Sequence, residues 1–324
     1  LGVFIDMNVN VIKTKCDKIN VKLTNGRFKN IWKYRWLYAF MLPGVLFFLT
    51  FRYAPMWGLV MAFQDYRPHL GIFGSEWVWL KHFERFFTLP DFWMLFRNTL
   101  LLALYDLIIF FPLTILLALM LNEITREWFK KSVQTIVYIP YFLSWVVIVG
   151  ITHILLSTEG GIVQHFLFNS FGVSIDFLTS IDWFRPLIVM QMVWKDAGWG
   201  TIIFLAALTG VNPALYEAAR LDGANRLRLI WHITLPSIRN IIIILLILRL
   251  GNFLDLGFEQ IFLMVNSLNR EVGEVFDTYV YRVGLVQGQF SYSAAVGLFK
   301  AAVGLVLVVG ANWIAKKFGE EGIY

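Results

Sequence analysis

The chain lacks most of the residue patterns that support catalysis or covalent stapling. It has one cysteine, Cys16, in 324 residues, which excludes a disulfide framework and a thiolate metal cluster. Its five histidines, His69, His82, His153, His165 and His232, show neither HxxxH nor HExxH spacing, so no histidine metal site is expected. There is no GxSxG nucleophile turn. There is no GxxxxGK[ST] phosphate loop either, so the chain cannot bind and hydrolyse a nucleotide through that device. Charged residues make up only 15% of it. The formal net charge of +6 is not gathered into a basic stripe interleaved with stacking aromatics, which argues against a nucleic-acid partner. No long Gly/Ser/Pro linker and no short-period repeat divides the sequence.

What is abundant is apolar bulk. Hydrophobic residues reach 58% and mean hydropathy is +0.65, against about 45–50% apolar residues in soluble domains. Lipid is the simplest place for the excess. Six segments approach or exceed the ~20 apolar residues that a spanning helix needs: 36–63, 93–121, 133–156, 184–208, 238–264 and 292–315. Pro43, Pro55, Pro112 and Pro140 fall in or near them, which membrane helices tolerate where neighbours satisfy the freed carbonyls. With the N-terminus inside, the inner segments carry 17 Lys/Arg and the outer ones 6, an asymmetry that sets orientation. The expected fold class is therefore an all-α membrane protein with six transmembrane helices and both termini cytoplasmic. Residues 1–35 form a basic cytoplasmic N-terminal segment. Residues 36–324 form the transmembrane domain, with a cytoplasmic loop at 209–240. The first 35 residues hold eight Lys/Arg and no long apolar core, so a cleavable leader is not expected, and Met7 is an alternative start. The outer loops are too short for a separate extracytoplasmic domain. Glu159-Gly160-Gly161 reads as a turn before a short outer helix.

The loop between the fourth and fifth segments is the most informative stretch. Asn212 is a good N-cap and Pro213 suits the first helical position. Residues 214–221 are helix formers, and Gly223 supplies a stop. A second helix follows and is closed by Pro236. The small residues Ala218, Ala219, Gly223 and Ala224 let another protein approach closely, which is docking chemistry rather than catalysis. A plain interfacial connector is the other reading.

The run EAARLDGANRLRLIWHITLP, residues 217–236, resembles the EAA loop of ABC importer permeases. Upstream, Val193-Trp194-Lys195, Gly198-Trp199 and Ile202–Leu208 resemble the maltose-transporter type (type I), and most closely its oligosaccharide and polysaccharide branch. The resemblance implies the type I importer permease fold. It makes Glu217, Ala218, Ala219, Asp222, Gly223 and Ala224 the residues that couple the pore to an ATPase. It also implies the partners: a second permease subunit in a heterodimer, two ATPase subunits, and an extracytoplasmic (periplasmic) solute-binding protein. No cofactor is expected in this chain, since ATP and magnesium would belong to the ATPase partner. On this reading the chain is a pore-forming subunit, not an enzyme.

Charges inside spans mark a pathway or a buried pair. On an unbroken helix turning roughly 100° per residue, Arg249, Asn252, Asp255 and Glu259 fall within about 120° of one another. Gln191 and Lys195 are four residues apart in the fourth span, with Trp194, Asp196 and Trp199 beside them. Asn98, Tyr105 and Asp106 add polarity to the second span and Lys300 to the sixth. Pairing of Arg249 with Asp255, or of Lys195 with Asp196, would brace the bundle instead of lining a path. The resemblance places sugar contacts at Met192, Lys195, Asp196 and Trp199, and at Arg249, Asn252, Phe253 and Leu256, each set on one helical face. Asp255 joins that pathway. Aromatic rings suit sugar stacking, and a guanidinium suits a carboxylate, so Lys195 and Arg249 point to an acidic oligosaccharide such as an oligouronate or alginate. The competing class is an ion-coupled secondary transporter working through Asp255, Glu259 or Asp106, which would show inverted repeats with broken helices. An integral-membrane enzyme would need an interfacial acidic cluster or metal motif.

Overall fold

The computed structural model describes residues 32–255 and 257–317. The expectations for residues 1–31, including Cys16, and for Leu256 lie outside the described residues. The chain falls into two units, Leu1–Val60 and Met61–Tyr324. In the first, the described residues form the exposed start of an apolar helix, Arg35–Phe63. Pro90–Glu123 and Phe290–Lys317 are likewise long and apolar enough to cross a bilayer. Three further crossings exist if bent pairs are each counted as one: Glu127–Phe142 with Trp145–Leu156 at 98°, Ile181–Thr209 with Pro213–Leu221 at 73°, and Arg226–Ser237 with Arg239–Gly251 at 63°.

The prolines shape these helices locally. Five-residue π-turns occur at Leu49–Tyr53, Asp106–Phe110 and Ile230–Thr234, each ending two residues before a proline: Pro55, Pro112 and Pro236. A proline has no N–H to close the i→i−4 bond and crowds the carbonyl it would have met. Widening the preceding turn to the i→i+5 pattern keeps the chain helical without that bond.

Two expected spans are not single helices. The third, read as 133–156, breaks at Leu143 and Ser144. Pro140 sits in a tight 3₁₀ turn, Ile139–Phe142, and Ser144 then caps a new helix by accepting from the Val147 N–H. The fifth, read as 238–264, is helical over Arg239–Gly251 and again over Phe258–Met264. Gly257, with φ +45°, turns the chain between them, a conformation open to glycine because it lacks Cβ. The single polar face drawn through Arg249, Asn252, Asp255 and Glu259 therefore does not exist, because constant helical phase is lost after Gly251. The fourth span, in contrast, is one helix of 29 residues, Ile181–Thr209, roughly 44 Å long at 1.5 Å per residue.

The second unit packs around three apolar clusters. One joins Leu102, Val149, Phe184, Ile188, Ile261 and Met264. A second centres on Phe86 of the helix Lys81–Thr88, whose ring meets Phe92, Phe276, Tyr292 and Phe299 edge-on at centroid distances of 5.0, 6.1, 6.3 and 5.4 Å. Such pairs contribute about 0.5–1.5 kcal/mol each beyond area burial. The third cluster joins Ala118, Leu119, Phe204, Leu208 and Ile238. Between membrane helices the apolar driving force is weak, and close backbone approach replaces it. Gly198 shows this: a Cβ there would strike the Val137 carbonyl. Gln64–Asp65 and Glu76–Trp77 pair as a two-residue antiparallel ladder, and the Gly160 turn leads into a helix, Ile162–Phe171.

Candidate functional site: a docking helix and a charged cavity

The Pro213–Leu221 helix forms as the local sequence dictates. The Asn212 side chain accepts from the Ala214 N–H at 3.0 Å. At the other end Gly223 has φ +81°. The Ala224 N–H reaches the Ala219 carbonyl at 2.9 Å and the Gly223 N–H the Arg220 carbonyl at 3.1 Å, which is the Schellman closure. Asn225 starts the next helix by accepting from the Arg228 N–H at 2.9 Å. The Tyr216 hydroxyl meets Thr234 Oγ1 at 3.0 Å, tying the two helices together. Glu217, Ala218, Asp222 and Gly223 are exposed, while Ala219 and Ala224 are partly buried. Leu221, Leu227 and Trp231 add large exposed apolar side chains to the same segment.

A cavity of about 430 Å³ lies among the second, fourth and fifth spans. Its wall includes Asp106, Thr114, Trp145, Met192, Asp196, Trp199, Arg249, Asn252, Asp255 and Gln260. Six residues expected on the pathway are thus brought together: Met192, Asp196, Trp199, Arg249, Asn252 and Asp255. Phe253 is half-buried and is not on this wall.

Arg249 does not pair with Asp255. Its guanidinium makes a two-pronged ion pair with Asp106, Nε to Oδ2 at 2.6 Å and Nη2 to Oδ1, and lies over the Phe110 ring at 4.6 Å. Asp255 instead joins Lys300 at 2.6 Å, and Lys300 also holds Asp277. Outside the spans, burial pushes the Asp277 carboxyl up, against the pull of Lys300, and the bond to Glu274 holds the Arg282 guanidinium above its usual value.

Lys195 does not pair with Asp196 and is not on the cavity wall. It is buried, and its ammonium donates to the carbonyls of Tyr141 at 2.7 Å and Leu143 at 2.6 Å. These are the carbonyls that the break in the third span leaves without helical donors. Lys195 also sits 5.2 Å from the Tyr141 ring, and that ring stacks on Trp199 at 4.4 Å and 5°. Sequence reasoning placed Lys195 in the pathway because it could not see backbone acceptors. It also missed the polar brace of Gln260, which donates to the Ile188 carbonyl at 2.8 Å and to Gln191 at 3.0 Å. Gln191 donates in turn to Thr152 at 2.7 Å. Asn98, fully buried, ties the Glu271 and Glu274 carbonyls to Arg185. Polar residues inside apolar runs were the available signal for each.

Likeness to known proteins decides the family. Residues 110–320 match the family described as binding-protein-dependent transport system inner membrane component. The chain belongs to this family. This transport component is 59% identical over 290 residues to the polygalacturonan/rhamnogalacturonan transport system permease protein YteP of Bacillus subtilis (strain 168), covering 90% of each chain. It is 54% identical to Protein LplB of the same organism, over 90% of this chain and 91% of that one. A chain in the crystal structure of a bacterial alginate ABC transporter in complex with alginate pentasaccharide-bound periplasmic protein superposes with a TM-score of 0.85 at 40% identity. That match covers 92% of this chain and 100% of the other. The permease therefore has the all-α fold of an ABC importer permease.

Proposed function

We propose that this permease imports uronate-containing oligosaccharides as half of a heterodimeric pore. Its six crossings leave both termini cytoplasmic, and residues 209–240 form the cytoplasmic coupling loop. A binding protein delivers the substrate from outside. Two ATPase subunits, which hold the ATP and magnesium, dock on Glu217, Ala218, Ala219, Asp222, Gly223 and Ala224. The observation that carries the reading is the likeness over nearly the whole chain to permeases named for polygalacturonan/rhamnogalacturonan and for alginate, both acidic polymers. The capped, exposed Pro213–Leu221 helix supports docking: a rigid element presenting small residues and Leu221 is a surface that a partner can grip. A partner must supply the work, since a ligand shifts a two-state pore only by its differential affinity for the two states. The cavity supports the passage of sugar, with Trp199 backed by Tyr141 as an aromatic platform and Arg249 and Asp196 as polar contacts. Asp106 and Asp255 are both engaged in ion pairs, which counts against either as an ion-coupling carboxylate.

The test is reconstitution of the permease with its second permease, ATPases and binding protein in proteoliposomes. Oligogalacturonate or oligoalginate should stimulate ATP hydrolysis and enter the lumen. Stimulation by neutral oligosaccharides alone would overturn the substrate class. ATP-independent uptake driven by an ion gradient would overturn the importer reading.

A further inference from the structure

The Arg249–Asp106 pair stands on the wall of the cavity rather than behind it. Both residues line the cavity, with the Arg249 side chain 38% exposed and Asp106 12% exposed. A second carboxylate, Asp196, lines the same wall, lies within Coulombic reach of Lys195, Arg249 and Asp106, and has no hydrogen-bond partner among the described residues. Asp106 opens the π-turn Asp106–Phe110, a helical irregularity often found at functional sites. Arg249 lies two residues before the helix ends at Gly251. Each partner of this ion pair thus sits at a joint of its own helix.

We infer that Asp106 is a stand-in for the substrate's carboxylate. In the empty pore it occupies Arg249, and an incoming uronate displaces it. This rests on the uronate reading above and adds the device that makes the pore selective. A planar guanidinium holds one carboxylate through two parallel bonds. A uronate carboxylate has the geometry of the Asp106 carboxylate, so the exchange replaces two charge-assisted bonds with two of the same kind. A neutral sugar offers only hydroxyls, which cannot replace a charged, two-pronged partner, so it meets a closed pair. The displaced Asp106, on the same cavity wall as Asp196, then presents carboxylate oxygens to the hydroxyls of the same glycan. Arg249 therefore favours the acidic glycan, which alone can take the guanidinium from Asp106, while a neutral glycan leaves the pair closed and gains nothing from it.

The complete importer in proteoliposomes tests this by competition between an oligogalacturonate and the same oligomer with its carboxyl groups reduced to alcohols. The quantity read is the ratio of acidic to reduced glycan imported. It is internal to each sample and independent of how much protein inserted, and the same binding protein serves every variant. Asp106→Asn weakens the competitor for Arg249 and should raise the ratio roughly tenfold, equivalent to about 1.4 kcal/mol. The double variant Asp106→Asn/Arg249→Gln, which strands no lone charge, should bring the ratio down toward that of the binding protein alone. If total import falls in both variants while the ratio stays at the wild-type value, the pair is a brace and the exchange site is wrong. If the wild type imports neither glycan, or the two equally, the uronate reading fails and takes the exchange site with it.

Discussion

Replacing Lys195 with methionine separates a structural clamp from a substrate contact. The ammonium donates to two carbonyls, at 2.7 and 2.6 Å, at the point where the third span turns through 98°. Hydrogen bonds from a charged donor contribute about 1.5–3 kcal/mol each, so the gross loss on removing both is roughly 3–6 kcal/mol. Methionine fills similar volume and removes the cost of burying the charge. The net loss then reflects two carbonyls left without donors, at about 1–3 kcal/mol apiece. We expect a destabilisation of roughly 2–4 kcal/mol, read as earlier thermal unfolding of the assembled importer in detergent. The Tyr141–Trp199 stack loses its anchor at the same time, so Trp199 emission should shift as the ring becomes freer. Lys195→Arg should not restore stability, because a planar fork does not replace a point donor. The ratio of acidic to neutral glycan imported should stay at the wild-type value. A Lys195→Met protein of unchanged stability whose import of acidic glycans alone collapses would refute the clamp and return Lys195 to the substrate path.

Other positions carry independent expectations. Gly223→Ala forces a side chain into the left-handed region at φ +81°, a strain of roughly 1–2 kcal/mol. It should weaken substrate-stimulated ATP hydrolysis, and Gly223→Pro, which also removes the N–H bonded to the Arg220 carbonyl, should abolish it; full stimulation with Gly223→Pro would exclude the coupling role. Gly198→Ala places a methyl against the Val137 carbonyl and should lower the thermal stability of the complex, with an unchanged melting profile counting against this helix contact. Phe86→Ala empties the centre of an aromatic cluster and should cost about 3–5 kcal/mol, measured as loss of folded protein during detergent extraction.

How much was legible in the sequence depended on the range of each interaction. The Pro213–Leu221 helix was readable to within a residue because its cap, its first-turn proline and its glycine stop act over two to five positions. The break in the fifth span was hidden, since Ile241–Leu248 is uniformly apolar and the eye carries the helix onward past Gly251. The Arg249–Asp106 pair joins residues 143 positions apart, and no local rule selects Asp106 over the nearer Asp255. The acceptors of Lys195 are backbone carbonyls, which no residue pattern records. The third-span bend was half visible: Pro140 marked a weak point, but the 98° turn needed the Ser144 cap as well.

The π-turns that precede Pro55, Pro112 and Pro236 have a consequence for how this chain tolerates changes in length. Each holds one residue more than an α-helical turn would over the same stretch, so each is a place where the helix has slipped phase by one position. Deleting a residue from Asp106–Phe110 would leave a helix of ordinary winding and nearly the same length with both flanks in phase, whereas deleting Leu113 from the α-helix that follows would rotate one side by roughly 100° against the other. Only the second deletion would turn Asp106 away from Arg249 while Thr114 and Ala118 kept their packing. Alignments of such permeases that place gaps by hydropathy alone would not register the shift, because the apolar run is unbroken. The polar residues would simply point elsewhere.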